Sequence, residues 1–438
     1  MNHPKMAVSP ARAGRVKRVR AMNTLQQALE QAAANLPVLF LRKLIDKKLK
    51  EQGIEPPRGF SEKMAAHFLA GNPEPFKFSS RKLSKNLTLT FTEADNDEIV
   101  KAMEDFCATK LQKIIPEVAR KTARSVLKTL RERWPDEFAR QEEDMNGFLE
   151  RLHERWGPSI GELRMVLTMS REWCHEALQR EEARKRRKPQ RTRKLLIRLL
   201  TRACQVTDEI ACLLENGFAD GAMARWRTLH EIAVVAAVIS QHGETIAERY
   251  LDHQFVESKR AMDKYLACHK QLGYRPLPVR EQKKIQRNYD KVVVKYGKPF
   301  ATDYGWAAFH LNSNRPTFAA LEAAAGRADM RAHYQMGNDN IHAGIKSIFV
   351  RLGLMDYQLF LAGRSNAGFT EPGQNAAITL TRLSVLVCMT EPNFDDLVAG
   401  SMMATLGEEI PRLFAKADKR LRQDEKVLRR EGRGPVGA

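Results

Sequence analysis

The sequence predicts an all-α protein, mainly a helical bundle, with one small β-hairpin in its N-terminal region. Three observations predict it. Apolar residues recur every three to four positions over most of the 438 residues, the period at which side chains share one helix face. Helix-starting and helix-stopping residues fall largely between those runs. Only "PFKFSS" and "NLTLTFT" alternate apolar and polar residues as a half-buried strand does.

Residues 1–22 hold Pro and Gly without periodicity and read as a basic arm. Helices are expected at about 24–35 and 37–52, broken at Pro37 and stopped by Gly53, and from a Ser61 cap to Gly71. The hairpin is expected near 76–92, with Phe76, Phe78, Leu87, Leu89 and Phe91 on its apolar face; a lone two-stranded ribbon must pack on something. Helical period returns at Asp97 and continues through Phe106, Leu111, Ile115, Val118, Val126 and Leu130, with a kink at Pro116. Further helices are expected at 136–155 and from the capping pair Ser159 and Glu162 into "REEARKRRKPQRTRK", where Pro189 ends or bends the run. Beyond it the pattern gives helices near 192–215, 220–241, 244–271, 278–296, 316–325, 328–352, 374–390 and 393–430. The long connection "YGKPFATDYGWAAFHLNSNRP" carries Gly, Pro and several aromatics, and loops of that length inside a helical unit are often functional. The expected organisation is an arm (1–22), a helical region with the hairpin (23–157), a basic linking helix (158–190), a helical bundle (191–352) and C-terminal helices with a basic tail (353–438).

Charge is concentrated. Residues 1–50 hold eleven Lys or Arg against two acids, residues 171–200 eleven against four, and residues 413–438 eight against four, which accounts for the whole formal charge of +20. Basic clusters attract polyanions, and nucleic acid is the commonest polyanion in a cell. Contact is therefore expected from Arg184, Lys185, Arg186, Arg187, Lys188, Arg191, Arg193 and Lys194, with RNA favoured over DNA. These runs lack the interleaved apolar stripe of an interfacial helix, and the longest apolar run, "IAVVAAVI", is far short of the roughly 20 residues a membrane span needs. With no apolar signal core and no Cys-x-x-Cys, the expectation is a cytoplasmic protein without cofactor or metal.

Two stretches place chemistry-bearing residues together. In "ENGFADGAMARWRTLHEIAVVAAVISQHG", Arg227 and Glu231 stand four apart at the head of a helix that is otherwise apolar on nearly every side. Such a pair must be compensated or face a pocket, because an uncompensated buried charge costs about 3 to 5 kcal/mol. In "RAHYQMGNDNIHAGIKSIFV", Tyr334, Asn338 and His342 are spaced by four and predict one polar, ligand-binding stripe, with Ile341, Ile345, Ile348 and Phe349 turned to the core. His230 joins the ligand-binding candidates. Arg225 before His230 and Arg327 before His333 fit the spacing used by helical ribonucleases of the HEPN class. Chance alone predicts as many such pairs, and Arg225 and His230 fall about 140° apart on a straight helix. No Walker loop, Gly-x-Gly-x-x-Gly, His-Glu-x-x-His or Gly-x-Ser-x-Gly occurs, which argues against ATPase, dehydrogenase, zinc protease and serine hydrolase readings.

"DEIACLLENGFADGAMARWRTLHEIAVVAAVI", then "ERYLDH" and "IHAG", resembles the bacterial domain-of-unknown-function family number five-six-seven-seven over about residues 190–352. The most specific part is Gly217-Phe218-Ala219-Asp220-Gly221-Ala222 leading into Arg227-x-x-x-Glu231. The resemblance implies an all-helical domain that gathers Arg227, Glu231 and His342 at one site. It implies no reaction; where the family often has a small hydroxyl residue four before the histidine, this chain has Asn338.

The preferred expectation is an RNA-engaging protein of bacterial stress or phage defence. A metal-independent ribonuclease activity would use Arg227 to hold phosphate and His342 to move a proton beside Glu231. Two other classes stay open: a helical scaffold without chemistry, able to self-associate through its C-terminal helices, and a small-ligand sensor.

Overall fold

The computed structural model describes residues 25–72, 74–78, 88–183, 190–355 and 361–431. These are helical, with no strand among them. Helices α1 (25–34), α2 (Leu36–Glu51), α3 (Phe60–Leu69) and α4 (Glu93–Asp105) precede a π-turn, Phe106–Leu111. Then come α5 (Gln112–Ala183), α6 (Arg191–Glu215), α7 (Ala219–Asp252), α8 (Gln254–Cys268), α9 (Val279–Tyr296), α10 (Phe318–Ala324), α11 (Arg331–Asp339), α12 (Ile345–Phe349), α13 (Thr370–Cys388) and α14 (Phe394–Arg430). Two compact units divide the chain at residues 138 and 139. The arm 1–22 lies outside the described residues.

In the first unit, Leu41, Leu44, Ile45 and Leu49 of α2 pack with Phe60 and Ala65 of α3. The expected hairpin is a correction: residues 76–78 and 88–91 are irregular, and the rest of that stretch, 79–87, lies outside the described residues. Its alternation does mark a one-sided apolar face. Phe76, Phe78, Leu89 and Phe91 pack onto the α2–α3 cluster as single side chains, so burial is satisfied without strand pairing. Thr92 and Asp95 form a capping box that starts α4.

Where separate helices were expected around Pro116, at 136–155 and from Ser159, one helix, α5, runs through Pro116, Pro135 and Pro158. Each proline deletes one backbone hydrogen bond and crowds the preceding turn. A π-helical turn, Phe106–Leu111, precedes α5 directly. Around Pro158 the helix is held by packing, since Trp156, Ile160 and Leu163 are buried in the core of the second unit.

That core is built from α5, α6, α7, α13 and α14. Leu196, Leu200 and Ile210 of α6, Trp226, Val234 and Val238 of α7, Leu380 and Leu383 of α13, and Ile410 and Phe414 of α14 are all buried in one cluster. The C-terminal helices thus fold back on the bundle. Trp173 of α5 donates to Asp396 at 2.6 Å, and Arg180 donates twice to the same carboxylate at 2.8 and 2.9 Å. Asp396 also closes the Asn393 capping box of α14. Burial pushes the Asp396 carboxyl up, but Arg180, the Asn393 N–H and Trp173 outweigh it and hold it down at about 2.

One further expected break is present and one expected helix is divided. The break between 241 and 244 is real but sharp: Gly243 adopts φ 66°, ψ −144°, a backbone only glycine takes freely. The single helix expected over 328–352 is instead α11 and α12 separated by an exposed turn. Ile341, Ile345, Ile348 and Phe349, expected in the core, are exposed.

Candidate functional site

The stretch Gly217–Ala222 builds the head of α7. Gly217, with φ 82°, ends α6: Phe218 N–H bonds to Leu213 O and Gly217 N–H to Leu214 O, the two bonds of a Schellman cap. A Cβ at Gly217 would meet Phe148 and Arg364 at 3.0 Å. Asp220 accepts from the Leu352 N–H at 2.8 Å and pairs with Arg351, while Ser365 N–H bonds to Gly217 O. The motif therefore ties the segment after α12 onto the start of α7.

One to three turns further on, three side chains meet. Arg227 Nη2 donates to the Tyr334 hydroxyl and, at 3.4 Å, to Glu231 Oε1; the same hydroxyl donates to Glu231 Oε1 at 2.7 Å. The guanidinium lies over the Tyr334 ring, 4.2 Å from its centre. Gly337 makes room for the arginine stem, since a Cβ there would meet Arg227 Cγ at 2.7 Å. Arg227 is 17 % exposed and Glu231 42 %, so the carboxylate is the part of the cluster that solvent reaches. Burial first, then the hydrogen bond to Glu231, push the Tyr334 phenol up to about 12. At neutral pH it is a hydrogen-bond donor. Burial and the nearby Glu231 also push up Tyr304, which belongs to the long connection before α10.

Behind this cluster, His230 is buried and donates through Nε2 to Glu322 at 2.9 Å; Arg331 reaches the other oxygen of Glu322 at 2.5 Å. His230 stacks on Trp226, with ring centres 5.2 Å apart, and Trp226 Nε1 donates to Asn375 O and Thr379. Burial pushes the His230 imidazole below its ordinary value although Glu322 pulls it up. It is a neutral packing histidine. Arg225 turns away to Glu209 on α6, as the 140° separation requires, so Arg225 and His230 are no unit.

The expected stripe divides. Tyr334 and Asn338 lie on α11, but His342 sits in the exposed turn beyond it, and no hydrogen bond, ion pair or ring contact joins it to Arg227 or Glu231 among the described residues. Asn338 adds only its carbonyl, which accepts from the His342 N–H. Of the expected nucleic-acid contacts, residues 184–188 lie outside the described residues. Arg193 is buried against Glu181 and Glu391, whereas Arg191 and Lys194 are exposed on α6.

Of the triad implied by the resemblance, Arg227 and Glu231 are thus together and His342 is apart. Residues 193–358 match the family of unknown function DUF5677. No curated protein and no solved structure matches the chain. The DUF5677 segment holds Asp220, Arg227, Glu231, Glu322 and Tyr334, yet its core is completed by α5, α13 and α14 outside it. Glu322 and Arg331 escape sequence reasoning. Glu322 left a trace: it is the lone charge in "FAALEAAAG", and a single acid in an alanine-rich helix that is 1 % exposed must have a partner. A cavity of about 300 Å³ lies nearby, lined by Lys346, Arg351, Glu371 and Arg422 among others, but not by Arg227, Glu231 or Tyr334. Among the described residues no three His, Cys, Asp or Glu side chains are placed to hold a metal ion.

Proposed function

We propose that this protein engages RNA through exposed basic faces, with the DUF5677 cluster as a rigid polar lock beside them. One observation carries the reading. Arg412, Lys416, Lys419, Lys426 and Arg430 of α14 are exposed and fall within about 80° of one another at 100° per residue. Gln423 fills the remaining place on that face, so no acid interrupts it from 412 to 430. On α6, Arg191, Lys194 and Arg198 are likewise exposed at positions that share a face. A polyanion with regularly spaced charges suits such stripes, because each neutralised phosphate releases counterions.

The lock reading follows from the contacts Arg227 makes through Nη2 and its guanidinium face, while its buried Nε has no hydrogen-bond partner among the described residues. Arg227 is held by an acid, a phenol and a ring face, and neither Tyr334 nor His230 is poised to exchange a proton near neutrality. The ribonuclease reading, set in bacterial stress or phage defence, needs His342 to reach Arg227 and Glu231 when RNA is bound.

Filter binding of labelled RNA at several salt concentrations tests both. The quadruple variant Lys416→Gln, Lys419→Gln, Lys426→Gln, Arg430→Gln is expected to weaken binding and to flatten the salt slope by about one unit per lost contact. Unchanged affinity and slope would overturn the proposal. Loss of metal-free RNA cleavage and of growth arrest in folded Arg227→Ala and His342→Ala variants would make the site catalytic.

A further inference from the structure

The motif "ERYLDH" takes no part in the cluster around Arg227, yet it meets the long connection before α10. Arg249 of α7 donates through Nε to Trp306 O at 3.1 Å. Its guanidinium lies 4.5 Å from the centre of the Tyr296 ring, 5.5 Å from that of Phe300 and 5.6 Å from that of Phe309. Among the described residues, no hydrogen-bond acceptor and no carboxylate meets its two terminal nitrogens. The acids of the same stretch of α7 are committed elsewhere. Glu244 accepts from the Arg191 and Thr192 N–H groups, Glu248 pairs with Lys295 and Arg191, and Asp252 pairs with Lys295 and accepts from Tyr296. Burial pushes the Arg249 guanidinium below its ordinary value. A half-buried cation without an acid is costly, and a bound anion relieves that cost.

Beside Arg249 stands Phe309, 75 % exposed. Its neighbour His310 is pinned to α7: Nε2 lies 3.2 Å from the Thr245 hydroxyl oxygen, and the ring centre 4.8 Å from that of His242. Burial, then the positive neighbours His242 and Arg249, push the His310 imidazole below its ordinary value. An exposed ring next to a guanidinium without an acid matches a nucleotide, whose base stacks on the ring while its phosphate takes the planar fork. Openness separates a polymer from a free nucleotide. Small ligands take concave sites that bury most of their surface, whereas Phe309 projects as a platform of the kind that single-stranded nucleic acid uses. The basic stripe of α6 begins beside it, with Arg191 paired to Glu248 at 3.5 Å. Resting on the RNA reading above, we infer that Phe309, Arg249 and His242 form a docking site for one nucleotide of single-stranded RNA, with the base on Phe309 and the phosphate on Arg249 beside His242. A duplex is excluded from this site because its bases stay stacked on one another.

Filter binding of a labelled single strand of about 12 nucleotides, and of its duplex, to the full chain tests the site. Phe309→Ala is expected to weaken single-strand binding about 10-fold, the scale of one lost base stack. It should leave duplex binding and the salt slope unchanged, since no charge is removed. Phe309→Trp is expected to keep the wild-type affinity. Arg249→Gln is expected to lower the single-strand salt slope by about 0.7, the share of one phosphate contact. Because Phe309 is exposed, Phe309→Ala is expected to melt as the wild type does, and it reads the site even where loss of Arg249 unsettles the connection. Wild type that binds neither RNA would overturn the RNA reading and this site with it. Single-strand binding that Phe309→Ala leaves unchanged, or an equal loss on the duplex, would overturn the site alone.

Discussion

Tyr334 decides how the candidate site behaves. Its hydroxyl is shared by Arg227 and Glu231, so Tyr334→Phe leaves two buried or half-buried polar groups with one partner fewer. The expected loss is about 1 to 3 kcal/mol in urea unfolding, the scale of an unsatisfied buried group. Arg227→Lys is expected to destabilise as well, since an ammonium cannot lie flat over the ring while bonding both oxygens. Thiols give a second residue-scale outcome. Cys107 and Cys212 are exposed, whereas Cys174, Cys204 and Cys388 are buried. Burial pushes the Cys388 thiol up to about 12, and the neighbouring Cys174 together with burial pushes Cys204 up as well. An aromatic disulfide reagent at pH 8 is therefore expected to titrate Cys107 and Cys212 rapidly, and Cys204 and Cys388 only after unfolding.

At the scale of elements, acid should act in two windows. His230 and His253 are depressed by burial, so the stability they contribute is present above about 6.5 and is lost as pH falls below it. Asp396 is held at about 2, so its contribution is present above about 4 and is lost as pH falls from there toward 2. Melting temperature against pH is expected to show both declines. His230→Gln should reduce the first, and Asp396→Asn should remove the second at a cost of about 3 to 5 kcal/mol, because Arg180 then loses its buried partner. The long helices were legible in the sequence because amphipathic periods and glycine stops agree: α6, α9 and α14 fall within two residues of their expected bounds. Prolines misled, since a break at Pro135 or Pro158 is only a local cost that packing of Trp156 and its neighbours overrides. The helix expected over 328–352 failed for the opposite reason. Ile341 to Phe349 carry the right period but have nothing to bury against, and Gly344 interrupts them. The site was legible as far as one helix extends. Arg227 and Glu231 share a face of α7, but Glu322, Arg331 and Tyr334 arrive from elements whose placement only the tertiary fold determines.

For the whole molecule, the DUF5677 match and the folding unit are different objects. Trp226, inside the match, bonds to Asn375 and Thr379 outside it, and the same core takes Trp156 and Leu163 from α5 and Phe414 from α14. Residues 193–358 expressed alone are expected to stay unfolded, by circular dichroism and by the absence of a cooperative melt, while residues 139–431 melt cooperatively. The shared core also bears on descent. A recombination event that exchanged residues 193–358 alone would deliver half a core to foreign flanks, so the matched segment and its flanking helices have to be inherited together.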